Sequence, residues 1–391
     1  MDNVTTATAP RPSSLALAGG VIAAAIMLAL PIPGQAMEGT AVRSPLTLAM
    51  ADSDPAFDEQ HPRQPRATPD RERKTASWSL TFDNDLLVPG SRDQDYTYGI
   101  SVATSGSRAR DYWLSLDTPL GWLDRALGVE GIGGSQIQGH SFEAGLFGFT
   151  PEDKSAGEPL YGDRPYASMV YLSSSRIQVS PDRQVAWNST LTLGVLGLDV
   201  VGDLQNGVHK VLSNERAEGW DHQISQGGEP TARYDLARQR ILPVSSEHFE
   251  LKSTVEGSVG YLTEARWSLS FRAGRLQSPW WQANPELARY GERNNATTTA
   301  RDNEHYVWGG VALVGRAYNA FLEGQFRGSD VEYDSDQVNH GVVEGWLGYT
   351  YAFDHGYRIS YVLRGHTSEL KDGPGDRNVL WGGVVFAKTL P

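Results

Sequence analysis

The amino-acid sequence predicts an all-β protein, a twelve-stranded antiparallel transmembrane β-barrel with long extracellular loops. Three observations lead to this fold class. Segments of about ten residues alternate apolar and polar side chains, as a tilted membrane-spanning strand does. Trp and Tyr residues cluster at the ends of these segments, where interfacial girdles would lie. An apolar run typical of a secretory signal precedes all of them.

The composition excludes several other classes of protein. The chain has no Cys, which excludes disulfide scaffolds, thiolate metal sites and a cysteine nucleophile. Its 47 Asp and Glu residues outnumber its 34 Lys and Arg residues, so we expect no nucleic-acid partner. After Ser77 no stretch approaches about 18 consecutive apolar residues, so transmembrane helices are excluded from the body of the protein.

The N-terminal region is predicted to direct export. An apolar run at 15–30 leads to small residues at Ala36, which indicates a signal peptide over 1–36, with cleavage as late as 51 as an alternative. A short membrane anchor is the other interpretation, although the run is shorter than the roughly 20 residues that span a bilayer. The chain from about 52 to 74 is rich in Pro, Asp, Arg and Gln, which predicts a disordered periplasmic linker over 37–76, and 77–391 is predicted to be the barrel domain.

Period-2 alternation defines the individual strands. In the segment 77–82, large apolar residues occupy even positions and hydroxyl residues occupy odd ones. In a barrel the apolar face contacts lipid, whereas in a soluble sandwich it would form the core, and alternation alone does not separate the two. The predicted strands are 77–87, 95–106, 138–148, 165–179, 184–198, 248–261, 264–276, 304–315, 318–327, 341–353, 357–369 and 377–388.

The lengths of the connections predict their positions. An even number of strands puts both ends of the barrel chain on the periplasmic side, where 181–183 and 354–356 would form short turns. The long connections 107–137, 199–247 and 277–303 are expected to be extracellular. Apolar residues at helical spacing over 203–214, preceded by Gly202-Asp203 as a cap, predict a short amphipathic helix in one of these loops.

Acidic and amide side chains gather where the first two predicted strands meet. Asp83, Asn84 and Asp85 end the first strand, and a second acidic cluster at 93–95 begins the next. Carboxylates are hard oxygen ligands suited to Ca²⁺. The alternative is that such residues are turn formers that bond their own backbone.

His209 lies on the predicted loop helix and is a candidate general base, because imidazole accepts a proton from water near neutral pH. Its alternative role is to pack the helix against the barrel. Glu215 follows about 240° further round an ideal helix, so it approaches His209 only if the helix ends near 213–214. The folded region has no G-x-S-x-G motif, which favours water over serine as the nucleophile.

Five motifs are shared with a known family. They are FDND at 82–85, DYTYG at 95–99, FTPED at 149–153, DRPYA at 163–167, and the stretch 209–223 that ends in GWDHQ. Through them the chain from 77 to 391 resembles the outer-membrane lipid A 3′-O-deacylases. The resemblance implies a barrel in the bacterial outer membrane that hydrolyses the 3′-linked acyloxyacyl ester of lipid A (lipopolysaccharide), with Ca²⁺ as cofactor and the outer-membrane lipids as surroundings.

The resemblance also implies the site residues. The implied catalytic residues are Asn84, Asp85, Thr97, His209 and Glu215, with Ser101 as the alternative to Thr97. Asp85 would be the calcium ligand, His209 would activate water, and Glu215 would support the site.

Two functions of other kinds remain open. The barrel could be a pore or a lipopolysaccharide-binding protein, in which Arg266, Arg272, Arg358 and Arg364 line a channel; the same arginines could instead plug the lumen by pairing with Glu323 and Asp85. An outer-membrane phospholipase would share the water activation and act on glycerolipids.

Overall fold

A computed structural model of the protein describes residues 72, 74, 77–88, 95–212, 217–293 and 303–390. The predicted signal peptide and almost all of the predicted linker therefore lie outside the described residues. Within the described ranges, no helix is both long enough and apolar enough to cross a membrane.

Twelve antiparallel strands in the described part of the chain close into a barrel, as predicted. Neighbours in sequence are neighbours in the sheet, and β1 pairs with β12 to complete it. The strands are β1 (Ser77–Asn84), β2 (Asp95–Ser105), β3 (Gln136–Thr150), β4 (Ala167–Val179), β5 (Val185–Leu196), β6 (Glu229–Ile241), β7 (Phe249–Gly260), β8 (Leu262–Arg275), β9 (His305–Asn319), β10 (Gly341–Ala352), β11 (Tyr357–His366) and β12 (Val379–Thr389). Closure pairs both sheet edges, which a strand-built membrane protein requires.

Helices occupy the connections. The α-helices are α1 (Asp117–Ala126), α2 (Asp199–Leu212) and α3 (Ala320–Glu323). One-turn 3-10 helices lie at Asp85–Leu87, Ser107–Asp111, Ile132–Gly134, Gly219–His222, Trp280–Gln282, Pro285–Leu287 and Asp354–Gly356.

The alternation read from the sequence separates the lumen from the outer wall. On β1, Ser79 and Thr81 are buried, whereas Leu80 and Phe82 are 45% and 42% exposed. Large apolar side chains point outward around the rest of the barrel as well, among them Val102, Trp267, Leu313, Tyr349 and Ile359. An apolar exterior around a polar interior is the arrangement of a membrane barrel, so the soluble sandwich is excluded.

Two strand predictions were wrong and cancelled in the count. The predicted strand 318–327 does not form, because β9 runs to Asn319, whose side chain accepts a hydrogen bond from Phe321 N and caps α3. β6 was missed within the predicted loop 199–247, because its outward positions include Arg238 and Arg240 and so hide the apolar alternation.

The connections divide between two ends of the barrel. We call the end that holds Ser77 and Thr389 the terminal end and the opposite end the loop end. The short turns 181–183 and 354–356 lie at the terminal end, as expected, and the α2 loop lies at the loop end. The long connections 107–137 and 277–303 also join strands at the terminal end. The extracellular prediction for both was wrong: the first follows an even-numbered strand, and the missed β6 shifted the second.

The connection between β8 and β9 runs inside the barrel, and we call its residues 276–293 the plug. Near the terminal end, Trp281 packs in one cluster with Val179 and Ile241. Higher in the lumen, Lys252 Nζ lies 2.6 Å from Glu286 Oε1. Tyr290 packs in the aromatic cluster of β2, β3 and β12 towards the loop end. The plug therefore spans much of the lumen.

Three of the four predicted lumen arginines, Arg266, Arg272 and Arg364, are buried and paired with carboxylates. Arg266 NH1 lies 2.7 Å from Glu344 Oε2, and Arg364 pairs with the same carboxylate. Arg272 Nε donates to Glu250 Oε2 at 2.8 Å. The plugging arrangement is thus formed, but the carboxylates found beside these arginines are Glu344 and Glu250 rather than the predicted Glu323 and Asp85. Glu323 instead accepts a hydrogen bond from Asn319 N at the loop end. Arg358 also faces the lumen.

Candidate active site

Asn84 ties together the loop ends of β1 and β2. By the alternation of β1 its side chain belongs to the outer wall, together with Leu80 and Phe82. Its Nδ2 donates to Thr97 O at 2.8 Å, and its Oδ1 accepts from Leu86 N at 2.7 Å. The amide therefore caps the one-turn helix that begins at Asp85. Asn84 thus forms a turn with its own backbone, as the alternative interpretation predicted.

A β-bulge re-aims β2 at Thr97. The pairing of β2 with β3 shifts register between Tyr96 and Tyr98, so Tyr96 packs inside the barrel while Tyr98 packs on the outer wall. Thr97 is buried beside Asn84, and its Oγ1 lies 2.6 Å from Thr150 Oγ1. Ser101, the alternative to Thr97, pairs with the lumen-facing Thr81 and lies on the inner side of the wall.

The structure separates the carboxylates that the sequence grouped as calcium ligands. Asp83 faces the lumen and forms an ion pair with Arg293. Asp95 Oδ1 lies 2.9 Å from Arg377 NH2. Both carboxylates thus pair with arginines instead of joining Asp85 in one site, while Asp93 of the second cluster lies outside the described residues. Asp85, which is 2% exposed, is the candidate that remains.

Helix α2 lies on the outer wall beside this site. Tyr98 OH donates to Val201 O, which links the helix to the strand that pairs with Asn84. Val201 packs with Tyr98, Tyr166 and Trp220 in one buried cluster. Gly148 faces outward beneath them, and a Cβ there would lie 3.1 Å from both Val201 and Trp220. The absence of side-chain atoms at this position is what lets the helix approach the wall.

The predicted loop helix exists but begins earlier than expected. It starts at Asp199, so Gly202, which was predicted as part of the cap, lies within the helix and is buried under Trp220. A Cβ at Gly202 would lie 2.6 Å from the Trp220 ring. The last described helical residue is Leu212, and the predicted end at 213–214 lies outside the described residues.

His209 belongs to the backbone of α2, while its side chain and all of Glu215 lie outside the described part of the chain. One turn before His209 lies Gln205, which the sequence analysis missed. Gln205 is 3% exposed, and its Oε1 accepts from Trp220 Nε1 at 2.8 Å. Its Nε2 makes no hydrogen bond within the described residues. Its spacing of four residues from His209, on the same face of the helix, is visible in the sequence, but this spacing indicates a site residue only once the burial of the amide is known.

Within the described ranges, no group of three or more His, Asp or Glu side chains could hold a metal ion. Asp85 supplies one buried, hard oxygen donor of the kind that Ca²⁺ accepts.

The sequence from 44 to 389 matches the family model described as Outer membrane protein LpxR. This chain belongs to the LpxR family. The resemblance stated from the motifs is thereby confirmed, and so is the predicted location in the outer membrane. The match begins within the predicted linker, 33 positions before Ser77.

Solved structures resemble this chain to different degrees. LpxR from Salmonella typhimurium shares 16% identity and a TM-score of 0.61 over 81% of this chain and 100% of that chain, which shows a common fold. KdgM porin, at 6% identity and a TM-score of 0.35, covers 81% and 99%. The COG4313 outer membrane channel from Pseudomonas putida F1, at 7% and 0.38, covers 83% and 100%. No curated protein matches the sequence.

Three of the motifs that mark this LpxR-family chain meet at one arginine. Arg377 NH1 lies 2.6 Å from Asp163 Oδ1, while its NH2 binds Asp95. Asp163 Oδ2 also accepts from Glu152 N at 2.9 Å. The motifs at 95–99, 149–153 and 163–167 therefore hold the loop end together, while the motif at 82–85, Thr97 and helix α2 lie at the candidate site.

Proposed function

We propose that this protein hydrolyses the 3′-linked acyloxyacyl ester of lipid A in the outer leaflet of the outer membrane, with water activated by His209. One observation carries the proposal: Asn84 and α2 lie on the outer wall at the loop end, and Thr97 is buried beside Asn84. Because barrel termini are periplasmic, the loop end faces the outer leaflet. A lipid diffusing in that leaflet reaches such a site without entering the lumen.

The filled lumen argues against the pore alternative. Besides Glu286 and Tyr290, the plug contributes Arg289, whose Nε donates to Glu264 Oε1 at 2.9 Å. Arg233 NH1 lies 3.1 Å from Glu292 Oε2 in the same interior. Buried ion pairs of this kind hold a segment in place, because separating them leaves uncompensated charge.

Apolar side chains beside the site support a lipid substrate. Leu86, next to Asp85, is 44% exposed. Val200 and Leu204 lie one turn apart on α2 and are 52% and 38% exposed. These side chains would contact acyl chains, while the polar residues between them face the ester.

The chemistry needs a base and a means of holding the attacking water. Ester hydrolysis forms a tetrahedral oxyanion as water attacks, and His209 would take the proton from that water. Gln205 would position the site through its unsatisfied Nε2, and Glu215 would support the imidazolium that forms. Asn84 holds the strand end and the turn in place through its two hydrogen bonds.

Calcium fits the donor chemistry of Asp85, although it would take its other ligands from backbone carbonyls, water or substrate. When bound it would supply positive charge that stabilises the oxyanion.

The test is an assay with the purified full-length protein in detergent. Lipopolysaccharide and Ca²⁺ are added, and mass spectrometry follows loss of the 3′-linked acyloxyacyl group. Loss that is absent with a His209→Asn variant supports the proposal. Intact lipid A would overturn it, and release of fatty acid from added glycerophospholipid would favour the phospholipase.

A further inference from the structure

The outer wall carries a polar patch near the terminal end of β4 and β5. Side chains alternate on β4, so Ser174, Arg176 and Gln178 point outward while Ile177 packs in the lumen with the plug. Ser189 on β5 also points outward. A bare arginine facing lipid is costly, so this patch needs a cover.

The connection between β2 and β3 supplies that cover. Arg176 Nε donates to Asp117 Oδ1 at 2.6 Å, and Ser189 Oγ donates to Asp124 Oδ2 at 2.9 Å. Gln178 Oε1 accepts from the backbone beyond α1 at 2.8 Å. Helix α1 therefore lies along the outside of the barrel, and its acidic side faces the wall.

The amphipathic character of α1 is inverted relative to a helix on a water-soluble protein. Its buried residues, at helical spacing, are Asp117, Leu120, Gly121 and Asp124. Its outer side presents Trp122 at 65% exposure, and Leu127 just after the helix is 60% exposed. A helix in water turns its apolar stripe inward, so this one is built for an apolar surrounding.

The apolar outer side continues the lipid-facing wall. Tyr112 packs on the outward-facing Phe142 of β3 with ring centroids 5.7 Å apart, and Trp113 beside it is 91% exposed. At the same end, Trp78 and Phe386 lie 5.6 Å apart as part of the aromatic girdle. The girdle of the strands and that of the connection are therefore one surface.

We infer that residues 107–127, which we call the interfacial segment, insert into the leaflet at the terminal end and bind its glycerophospholipids. Trp113, Trp122 and Leu127 lie at the boundary between head groups and acyl chains, where Trp is favoured. Arg108 and Arg110 are exposed in the preceding helical turn and contact lipid phosphates. The inference rests on the outer-membrane barrel and is independent of the proposed enzymatic function.

The absence of Cys makes a site-directed spin-label experiment clean. Trp122→Cys and Trp113→Cys are labelled with a nitroxide in the full-length barrel and reconstituted into phospholipid vesicles. Leu313→Cys, outward on β9 and 52% exposed, is the lipid control; Tyr161→Cys, 74% exposed at the loop end, is the water control. Power saturation compares collision with oxygen, which concentrates in hydrocarbon, and with a water-soluble nickel chelate.

Labels at 122 and 113 are expected to favour oxygen, as the label at 313 does. Accessibility to the nickel chelate like that of the label at 161 would overturn the inference. If a cysteine variant does not form the barrel, quenching of fluorescence by brominated phospholipids decides instead, from the difference between the wild type and Trp122→Phe. A quenched Trp122 supports insertion, and an unquenched one contradicts it.

Discussion

Helices α1 and α2 stand against the same side of the barrel at opposite ends and are attached by opposite means. At the loop end, α2 packs through Val201 against Tyr98 and Trp220. At the terminal end, α1 is held through Asp117 to Arg176. Ion pairs fix direction and distance, whereas apolar contacts tolerate small shifts. The difference indicates that α1 is a fixed helix, which faces one leaflet. Helix α2 is more adaptable and faces the other leaflet, beside the candidate site.

The largest effect is expected at the loop end, where we propose that catalysis takes place. Asp85→Ala should abolish ester hydrolysis, because it removes a hard carboxylate from the proposed calcium site. The assay is loss of the acyloxyacyl group across a calcium titration, with Asp203→Ala on the exposed side of α2 as the control. Full activity of the wild type in a calcium chelator would contradict this assignment.

The second prediction concerns His209 on α2, the proposed general base. His209→Asn should reduce the rate by roughly 10²- to 10⁴-fold, since the variant keeps a polar side chain and loses the proton acceptor. Wild-type activity should fall at acid pH, because imidazolium cannot accept a proton. Heat-modifiable migration on gels checks that the barrel still forms. A merely packing role predicts a small change in rate together with a lower melting temperature.

The fixed helix is tested at its ion pair. Asp117→Asn should lower the free energy of unfolding by about 3 kcal/mol, because Arg176 then loses its closest carboxylate in a covered site. Ester hydrolysis should change little. Arg125→Gln is the matched control, since the exposed Arg125–Glu130 pair contributes no more than about 1 kcal/mol. Equal stability of the two variants in urea unfolding would remove the distinction between the helices.

The docking of α2 is tested by adding one methyl group. Gly202→Ala places a Cβ 2.6 Å from the Trp220 ring, so the helix must shift or the ring must move. We expect a cost of about 1–3 kcal/mol in thermal stability and a rise in KM. The control is Gly257→Ala, because a Cβ at that position meets no neighbouring atom. Gly227→Ala would be a poor control, because Gly227 has a positive φ. Unchanged kinetics would show that α2 docks more loosely than described.

The smallest effect concerns His222, just beyond Trp220. Its Nδ1 lies 2.5 Å from Asp330 Oδ2, and this hydrogen bond raises the pKa of His222 above its usual 6.5. The stabilisation is present below 6.5 and is lost as pH rises through the higher folded-state pKa. Because the pair is largely exposed, it contributes less than about 1 kcal/mol. An NMR titration should show the pKa falling in Asp330→Asn; an unchanged value would contradict the pairing.

Period 2 carried most of the fold prediction. It found the outward Leu80 and Phe82, and extended along β1 it would also have put Asp83 in the lumen. It failed on β6, where outward arginines replace apolar residues, and on α1, whose inverted stripe resembles a polar loop. The plug contains both polar and aromatic residues, and their partners lie on distant strands. No local sequence pattern therefore predicts that this connection lies inside the barrel.

The candidate site was predictable only in part. The shared motifs pointed to Asn84 and Thr97, which the structure joins by a hydrogen bond. Asp95 was predicted to lie with Asp85 in one acidic cluster, but it pairs with Arg377, which is 282 positions later in the chain. Gln205 was overlooked because a glutamine in an amphipathic helix carries no signal until its burial is known.

Both helices stand against the strands from β2 to β6, so the barrel has a front and a back in the plane of the bilayer. A lipid that approaches the front meets a helix in each leaflet. A lipid that approaches the back meets strands such as β9 and β11, whose outward Leu313, Ile359 and Tyr361 are exposed. The surface that the barrel presents to its neighbours therefore depends on the direction from which they approach in the plane of the membrane. A neighbouring membrane protein could pack directly on the strands at the back, where neither helix lies.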